Sequence, residues 1–256
     1  QNETSIREKV SEGCTYVNYT AHGSSVSWAD PGFTRTHINN LKNKGKYPLV
    51  VGNCCLTNKF EVATCFGEAW LRAKGKGAIG YIGGSSYTYW DEDLWWGVGY
   101  YSIVKPNNDG VPPLKEKTGI GAYDHAFNSE EGSVYTNATL MVSGNLAVEE
   151  SHSSRKKYYW EVYQLMGDPT LATYMGIPKA NKVSHPVTVQ VGSGVEISAA
   201  KGSVATLSMN DQVIGTCRIG TRGTAKMVIN TKTAGNAELL ITGNNLVPYT
   251  AKVVVE

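Results

Sequence analysis

Two short segments of this chain end in groups that together could break an acyl bond. Residues 15–22 (TYVNYTAH) are rich in β-formers and deliver His22 immediately before Gly23. Residues 47–54 (YPLVVGNC) form a nearly continuous apolar run that ends in the adjacent thiols Cys54 and Cys55. A run of that kind is expected of a strand buried on both faces of a parallel sheet. In α/β sheets, functional groups collect at the carboxyl ends of the strands. If the two strands are parallel neighbours, an imidazole and a thiol reach the same edge. The imidazole can then hold the thiol proton and later return it to a leaving amine. Gly23 leaves a backbone N–H open beside the histidine, and with the N–H of Cys55 it could bind a developing oxyanion.

The segments around them fit such a sheet. Helical character over 34–44 stops at Gly45, a helix is expected over 65–74 before Gly75, and 77–83 (GAIGYIG) reads as another buried strand. This alternation points to an open α/β sheet with short crossovers. After a Trp-rich loop, helices are expected near 93–104, 118–127, 135–148 and 157–165, with a last strand at 170–174. The style changes near Ile177-Pro178-Lys179. From about Ser184 short alternating runs (VTVQV, VEISAA, VATLSM, KMVINT, AELLIT, AKVVVE) are separated by Gly, Asn and Asp turns, as in an all-β sandwich of immunoglobulin size. The division expected is therefore residues 1–178 as the α/β part and 179–256 as the sandwich.

Composition excludes several other classes. Residues 1–178 hold 16 basic against 18 acidic side chains and residues 179–256 hold 8 against 4, so the local charges are −2 and +4. No Lys/Arg block interleaved with aromatics suggests a nucleic-acid partner. No apolar run approaches the roughly 18 residues that cross a membrane. Residues 1–10 are polar and charged, unlike a signal peptide, so a secreted form would already have lost its signal. Five cysteines without C-x-x-C or Cys/His ligand spacing do not build a disulfide framework or a zinc site, which leaves a special role for one thiol. Of the remaining histidines, His37, His125, His152 and His185 have surface or packing contexts. Arg155-Lys156-Lys157 reads as an exposed basic loop open to processing. Asn2, Asn18 and Asn137 begin N-x-S/T triplets, which matter only in a glycosylating host.

The blocks NYTAHGS, YPLVVGNCC, CFGEAWLRAKGKGAIGYIG and YWDED-LWW resemble the catalytic domain of the gingipains, the caspase-like cysteine peptidases of family C25. They are more similar to the lysine-specific than to the arginine-specific type. The likeness runs from about Thr15 to Tyr174, through GDPTL, and the sandwich resembles the immunoglobulin-like domain that follows the catalytic domain in that family. The resemblance implies a caspase-like α/β fold, here its C-terminal part with a mostly parallel sheet flanked by helices. It also implies Cys55 rather than Cys54 as nucleophile, His22 as its partner, and Gly23 and Cys55 as oxyanion donors. Asp93 would be the acidic group of the S1 pocket, with Thr20, Asn53, Tyr89 and Trp90 lining it. A carboxylate beneath aromatic walls suits a lysyl side chain, whose stem packs on the rings. Against this, Asp91, Glu92 and Asp93 also suit an ordinary solvated first helical turn.

The expected activity is a secreted or cell-surface, bacterial cysteine endopeptidase that cleaves proteins after Lys through an acyl-enzyme. An Arg-preferring peptidase and a non-catalytic adhesin that keeps the fold are the alternatives. The chemistry needs no cofactor. The resemblance brings structural calcium, for which loops with Asp91–Asp93, Asp109 or Asp124 offer oxygens, although no EF-hand spacing exists. A caspase-like domain has strands before its histidine strand, and a bare edge there would be sticky. An N-terminal fragment of the same precursor is therefore the expected partner chain, and it would carry the acid that orients His22.

Overall fold

The computed structural model describes residues 2–100, 121–122 and 136–256. They divide into two units, the first ending at Met175 and the second running from Gly176 to Glu256.

The first unit contains α1 (Glu3–Glu12), β1 (Tyr16–Thr20), β2 (Gly23–Ser24), β3 (Ser27–Ala29), β4 (Gly32–Thr34), α2 (Arg35–Asn39), β5 (Leu49–Asn53), α3 (Phe66–Arg72), β6 (Gly80–Gly84), α4 (Trp90–Val98), α5 (Asn137–Glu150), α6 (Lys156–Val162) and β7 (Tyr163–Gly167). Its main sheet has the order β1-β5-β6-β7, with the first two pairings parallel and the last antiparallel. Every residue of β5 and β6 is buried. Val50 and Tyr81 enter a core with Trp28, Phe33, Phe66 and Trp70, whereas Leu49, Val51 and Ile82 enter a second core with Trp96, Leu140, Val148 and Tyr159. Helices and loops thus cover both faces, which is why these strands read as unbroken apolar runs.

Several elements depart from the pattern reading. The helix expected over 157–165 stops at Val162, and its last residues instead form β7 against β6. The sequence KKYYWEVYQL spaces its large side chains for either period, so edge pairing decides. The strand expected at 170–174 is only a single bridge, Thr136 to Ala172. The helix expected near 93–104 begins earlier, at Trp90, and the one expected over 118–127 lies mostly outside the described residues. Helix α1 buries only Val10 fully, too thin an apolar stripe to read, yet its start is closed by a reciprocal Asn2–Ser5 capping box. The three-stranded β2-β3-β4 hairpin sheet was also illegible, because its strands are only two or three residues long.

The second unit holds β8 (Lys179–Ala180), β9 (Thr188–Val189), β10 (Gly194–Ser198), β11 (Val204–Met209), β12 (Gln212–Arg218), β13 (Thr224–Val228), β14 (Gly235–Thr242), β15 (Leu246–Val247) and β16 (Tyr249–Val255). A five-stranded sheet, β12-β11-β14-β16-β9, and the β10-β13 pair put their inward side chains into one core that includes Val195, Ile197, Leu207, Met227, Leu239 and Val253. Strict burial alternation in β11 and β14 is the half-exposed pattern visible in the sequence. β12 escaped that pattern because a register shift at Leu207/Ser208 breaks the ladder and Val213 faces solvent. No helix among the described residues is long and apolar enough to cross a membrane.

Candidate active site

The parallel register of β1 and β5 places Thr20 opposite Asn53. His22 and Cys55 each follow that pair by two residues, so both leave the sheet at its carboxyl edge. His22 is exposed. The ring of Trp90 meets its imidazole edge-on, with centroids 5.2 Å apart. The His22 carbonyl accepts from the Ala29 N–H at 3.0 Å and from the Tyr19 hydroxyl at 2.7 Å. Because that carbonyl turns toward β3, the N–H of Gly23 in the same trans peptide points away from it and is left out of the hairpin ladder. A side chain at Gly23 would collide with the cysteine loop: its Cβ would sit 2.7 Å from Cys54 Sγ and 2.7 Å from the Cys55 carbonyl oxygen.

The two thiols have different surroundings. Cys54 is buried, and that burial pushes its thiol well above the ordinary range, so it stays protonated. Cys55 is half-buried, and the backbone N–H of Thr88 donates to its sulfur at 3.3 Å. The Thr88 hydroxyl lies 3.6 Å from the same sulfur. Leu56 follows at φ 64°, an uncommon left-handed conformation for a branched residue, and its N–H donates to Ser86 O at 3.0 Å.

The three acids at the start of α4 separate completely. Asp91 is exposed. Glu92 is buried and accepts from the Ser153 hydroxyl at 2.5 Å and from Arg155 at 3.3 Å. Asp93 is 5% exposed. Its Oδ2 accepts from the Thr88 hydroxyl at 2.6 Å, and its Oδ1 from the hydroxyls of Tyr159 at 2.9 Å and Tyr163 at 2.8 Å. Burial lifts its carboxyl to about 6, and the three hydroxyl bonds oppose that rise. The ordinary solvated helix turn therefore does not describe Glu92 or Asp93. Asn53, fully buried, donates to the Asp93 backbone carbonyl at 2.8 Å, and its Oδ1 lies against the Tyr163 hydroxyl, whose one proton it shares with Asp93 Oδ1. Thr20, Tyr89 and Trp90 are exposed. Thus the structure gathers Asn53, Asp93, Tyr89 and Trp90 near the carboxyl edge that carries His22 and Cys55.

Four residues of this arrangement had no sequence signal. Tyr159 and Tyr163 reach Asp93 from more than sixty residues downstream. Thr88 joins Cys55 to Asp93, and Arg155 stacks over the Tyr89 ring at 3.9 Å. Residues 155–157 are consequently not an open basic loop: they start α6, with Arg155 on Glu92 and Tyr89 and Lys156 paired with Glu149 at 2.8 Å. Asn137 is wholly buried and donates to Asp168 O, so it is closed to glycosylation in the fold. His37 caps α2 and His185 contacts Tyr249, while His125 lies outside the described residues. Among the described residues no three His, Cys, Asp or Glu groups are arranged for a metal, and Asp93 faces hydroxyl donors. Asp109 and Asp124 lie outside the described residues.

The model of "Peptidase family C25" matches residues 1–174. Lys-gingipain from Porphyromonas gingivalis is 36% identical over 260 residues, covering 98% of this chain and 15% of that protein. Gingipain R2 from the same organism is 26% identical over 253 residues, covering 95% of this chain and 31% of that protein. A solved structure titled "Structure of Protease" superposes with a TM-score of 0.85 at 35% identity, covering 98% of this chain and 56% of that one. The crystal structure of the Arg specific cysteine proteinase gingipain R (RgpB) superposes with a TM-score of 0.76 at 23% identity, covering 100% of this chain and 56% of that one, a likeness of fold. The chain thus spans about half or less of the length of each of these relatives.

Proposed function

The chain belongs to peptidase family C25, and from that membership we propose that it carries the thiol and imidazole of a cysteine endopeptidase that cleaves proteins after lysine. The observation that carries this reading is the Thr20–Asn53 register, two residues beyond which His22 and Cys55 leave the same sheet edge. In the reaction, His22 takes the Cys55 proton and the thiolate adds to the scissile carbonyl. The N–H groups of Gly23 and Cys55 hold the oxyanion. Collapse expels the amine, protonated by His22, and water then releases the acyl group from sulfur.

Lysine preference is supported by Asp93, a buried carboxylate next to the Tyr89–Trp90 rim. A compact ammonium on an apolar stem suits that slot better than a planar guanidinium, which needs a bidentate partner. Asp93 Oδ1 is already engaged by two tyrosines.

We further read the second unit as an immunoglobulin-like support module without chemistry of its own. The β1 strand pairs on one side only among the described residues. A further segment of the same precursor is proposed to cover that edge and to supply the acid that orients His22. Secretion or surface display is proposed on the strength of the relatives alone.

The test is cleavage of matched lysyl and arginyl peptides by the whole protein and by its Cys55→Ala variant, with labelling by a lysyl chloromethylketone. Loss of cleavage in the variant and label on Cys55 are expected. Cleavage that survives the substitution sinks the nucleophile assignment, and equal rates on both peptides sink the lysine pocket.

A further inference from the structure

One residue touches both halves of the site. The Thr88 N–H donates to Cys55 Sγ at 3.3 Å, its hydroxyl lies 3.6 Å from that sulfur, and the same hydroxyl donates to Asp93 Oδ2 at 2.6 Å. The thiol can also donate to the Thr88 carbonyl at 3.6 Å. We propose that Thr88 is a positioning residue that couples occupation of the Asp93 pocket to release of the Cys55 proton, so that a lysyl side chain readies the nucleophile that will attack it. The proposal rests on the reading of Cys55 as nucleophile and Asp93 as pocket acid.

A hydroxyl has one proton and two lone pairs, and a carboxylate accepts at about four lone-pair sites. Among the described residues, both partners of Oδ1 are tyrosine hydroxyls, whereas Oδ2 has Thr88 alone. An arriving ammonium therefore has its open acceptor site on the oxygen that Thr88 holds. With the pocket empty, the Thr88 proton is committed to Asp93 and the hydroxyl turns only a lone pair toward sulfur, a setting that suits S–H. An ammonium on Oδ2 neutralises the carboxylate and weakens its hold on the Thr88 proton, so that the hydroxyl can turn and donate to sulfur. Together with the Thr88 N–H it then offers two donors to a thiolate. Atoms balance without any new reagent: the thiol proton passes to His22, the Thr88 proton changes acceptor but stays on its oxygen, and the ammonium keeps its protons. The added bond is a charge-assisted one, and such a bond corresponds to roughly a tenfold change in an equilibrium.

The experiment measures alkylation of Cys55 by iodoacetamide at fixed pH in the whole protein, with peptide mapping to separate it from Cys14 and Cys217, and with or without n-butylamine as a lysine side-chain probe. Competition of butylamine with a lysyl peptide is measured in parallel. The expected result is competition, together with about tenfold faster alkylation at saturating amine. Thr88→Ser is expected to keep the acceleration, while Thr88→Val and Asp93→Asn lose it. Competition without acceleration in the unsubstituted protein, or an undiminished response in Thr88→Val, overturns the coupling while leaving the pocket standing. Absence of competition overturns the pocket assignment and the coupling with it. The decisive comparison uses the unsubstituted protein and Thr88→Ser, so it survives a failure of Thr88→Val to fold.

Discussion

Gly23→Ala is the sharpest test of how the site is assembled. Gly23 is not among the residues with positive φ, so alanine suffers no backbone strain there, and its effect is steric. The new methyl carbon would lie 2.7 Å from Cys54 Sγ, 2.7 Å from the Cys55 carbonyl oxygen and 3.1 Å from Thr57 Cγ2. Ordinary contact starts near 3.4 Å, so the histidine and cysteine segments must part by about 0.7 Å. Neither of the two nearest atoms can move aside freely: one belongs to a buried thiol and the other to backbone. Overpacking of this kind costs about 1–3 kcal/mol, and at about 2–4 °C per kcal/mol for a chain of this size it lowers Tm by several degrees. The same displacement opens the gap between His22 and Cys55. A misplacement near 1 Å costs about a hundredfold in rate, so kcat/KM on a lysyl peptide is expected to fall by roughly 10- to 100-fold. The assay is steady-state kinetics with a thermal melt, beside Gly176→Ala, whose methyl meets nothing within 4 Å, as the silent control. Wild-type kcat/KM and Tm in Gly23→Ala would refute the juxtaposition of the two strand ends.

Asp93→Asn is expected to lower kcat/KM for lysyl peptides by on the order of a hundredfold, because a buried cation loses its counter-charge. In the unsubstituted protein, lysyl KM should rise as pH falls below about 6, where Asp93 takes up a proton. Folding has the opposite dependence. The folded chain holds the Asp93 proton more tightly than the ordinary value of 3.8, so stability present below about pH 4 is lost as pH rises through about 6, amounting to about 3 kcal/mol. Urea unfolding from pH 4 to 8 should show this slope in the wild type and a flatter one in Asp93→Asn; identical slopes would contradict it. Arg155→Met is expected to raise lysyl KM by roughly five- to tenfold with kcat little changed, since Tyr89 loses its stacked guanidinium and Glu92 its cation. An unchanged KM would show that this clamp does not shape the pocket.

What local pattern could express was legible in advance. Unbroken apolar runs marked β5 and β6 because both faces of those strands are covered, and the glycine and polar residues that end them marked the edge where His22 and Cys55 emerge. Alternation marked β11, β14 and β16 because one face of each is wet. Weak or ambiguous periodicity hid α1, the β2-β3-β4 hairpins and β7, whose existence depends on capping and edge pairing rather than on a wide apolar stripe.

The choice among Asp91, Glu92 and Asp93 could not be made from three consecutive acids. Their surroundings are told apart by hydroxyls of Tyr159 and Tyr163 on Asp93 and by Ser153 and Arg155 on Glu92, all brought in by α6, β7 and the turn before them. The contacts of Thr88 were equally hidden, since a threonine between two tyrosines has no spacing rule that points to sulfur. Hydrophobic periodicity records which face of an element is covered. A hydrogen-bond partner is a fact about which elements meet, and only the tertiary fold, by closing separations of 33 residues from Cys55 to Thr88 and 70 from Asp93 to Tyr163, decided it.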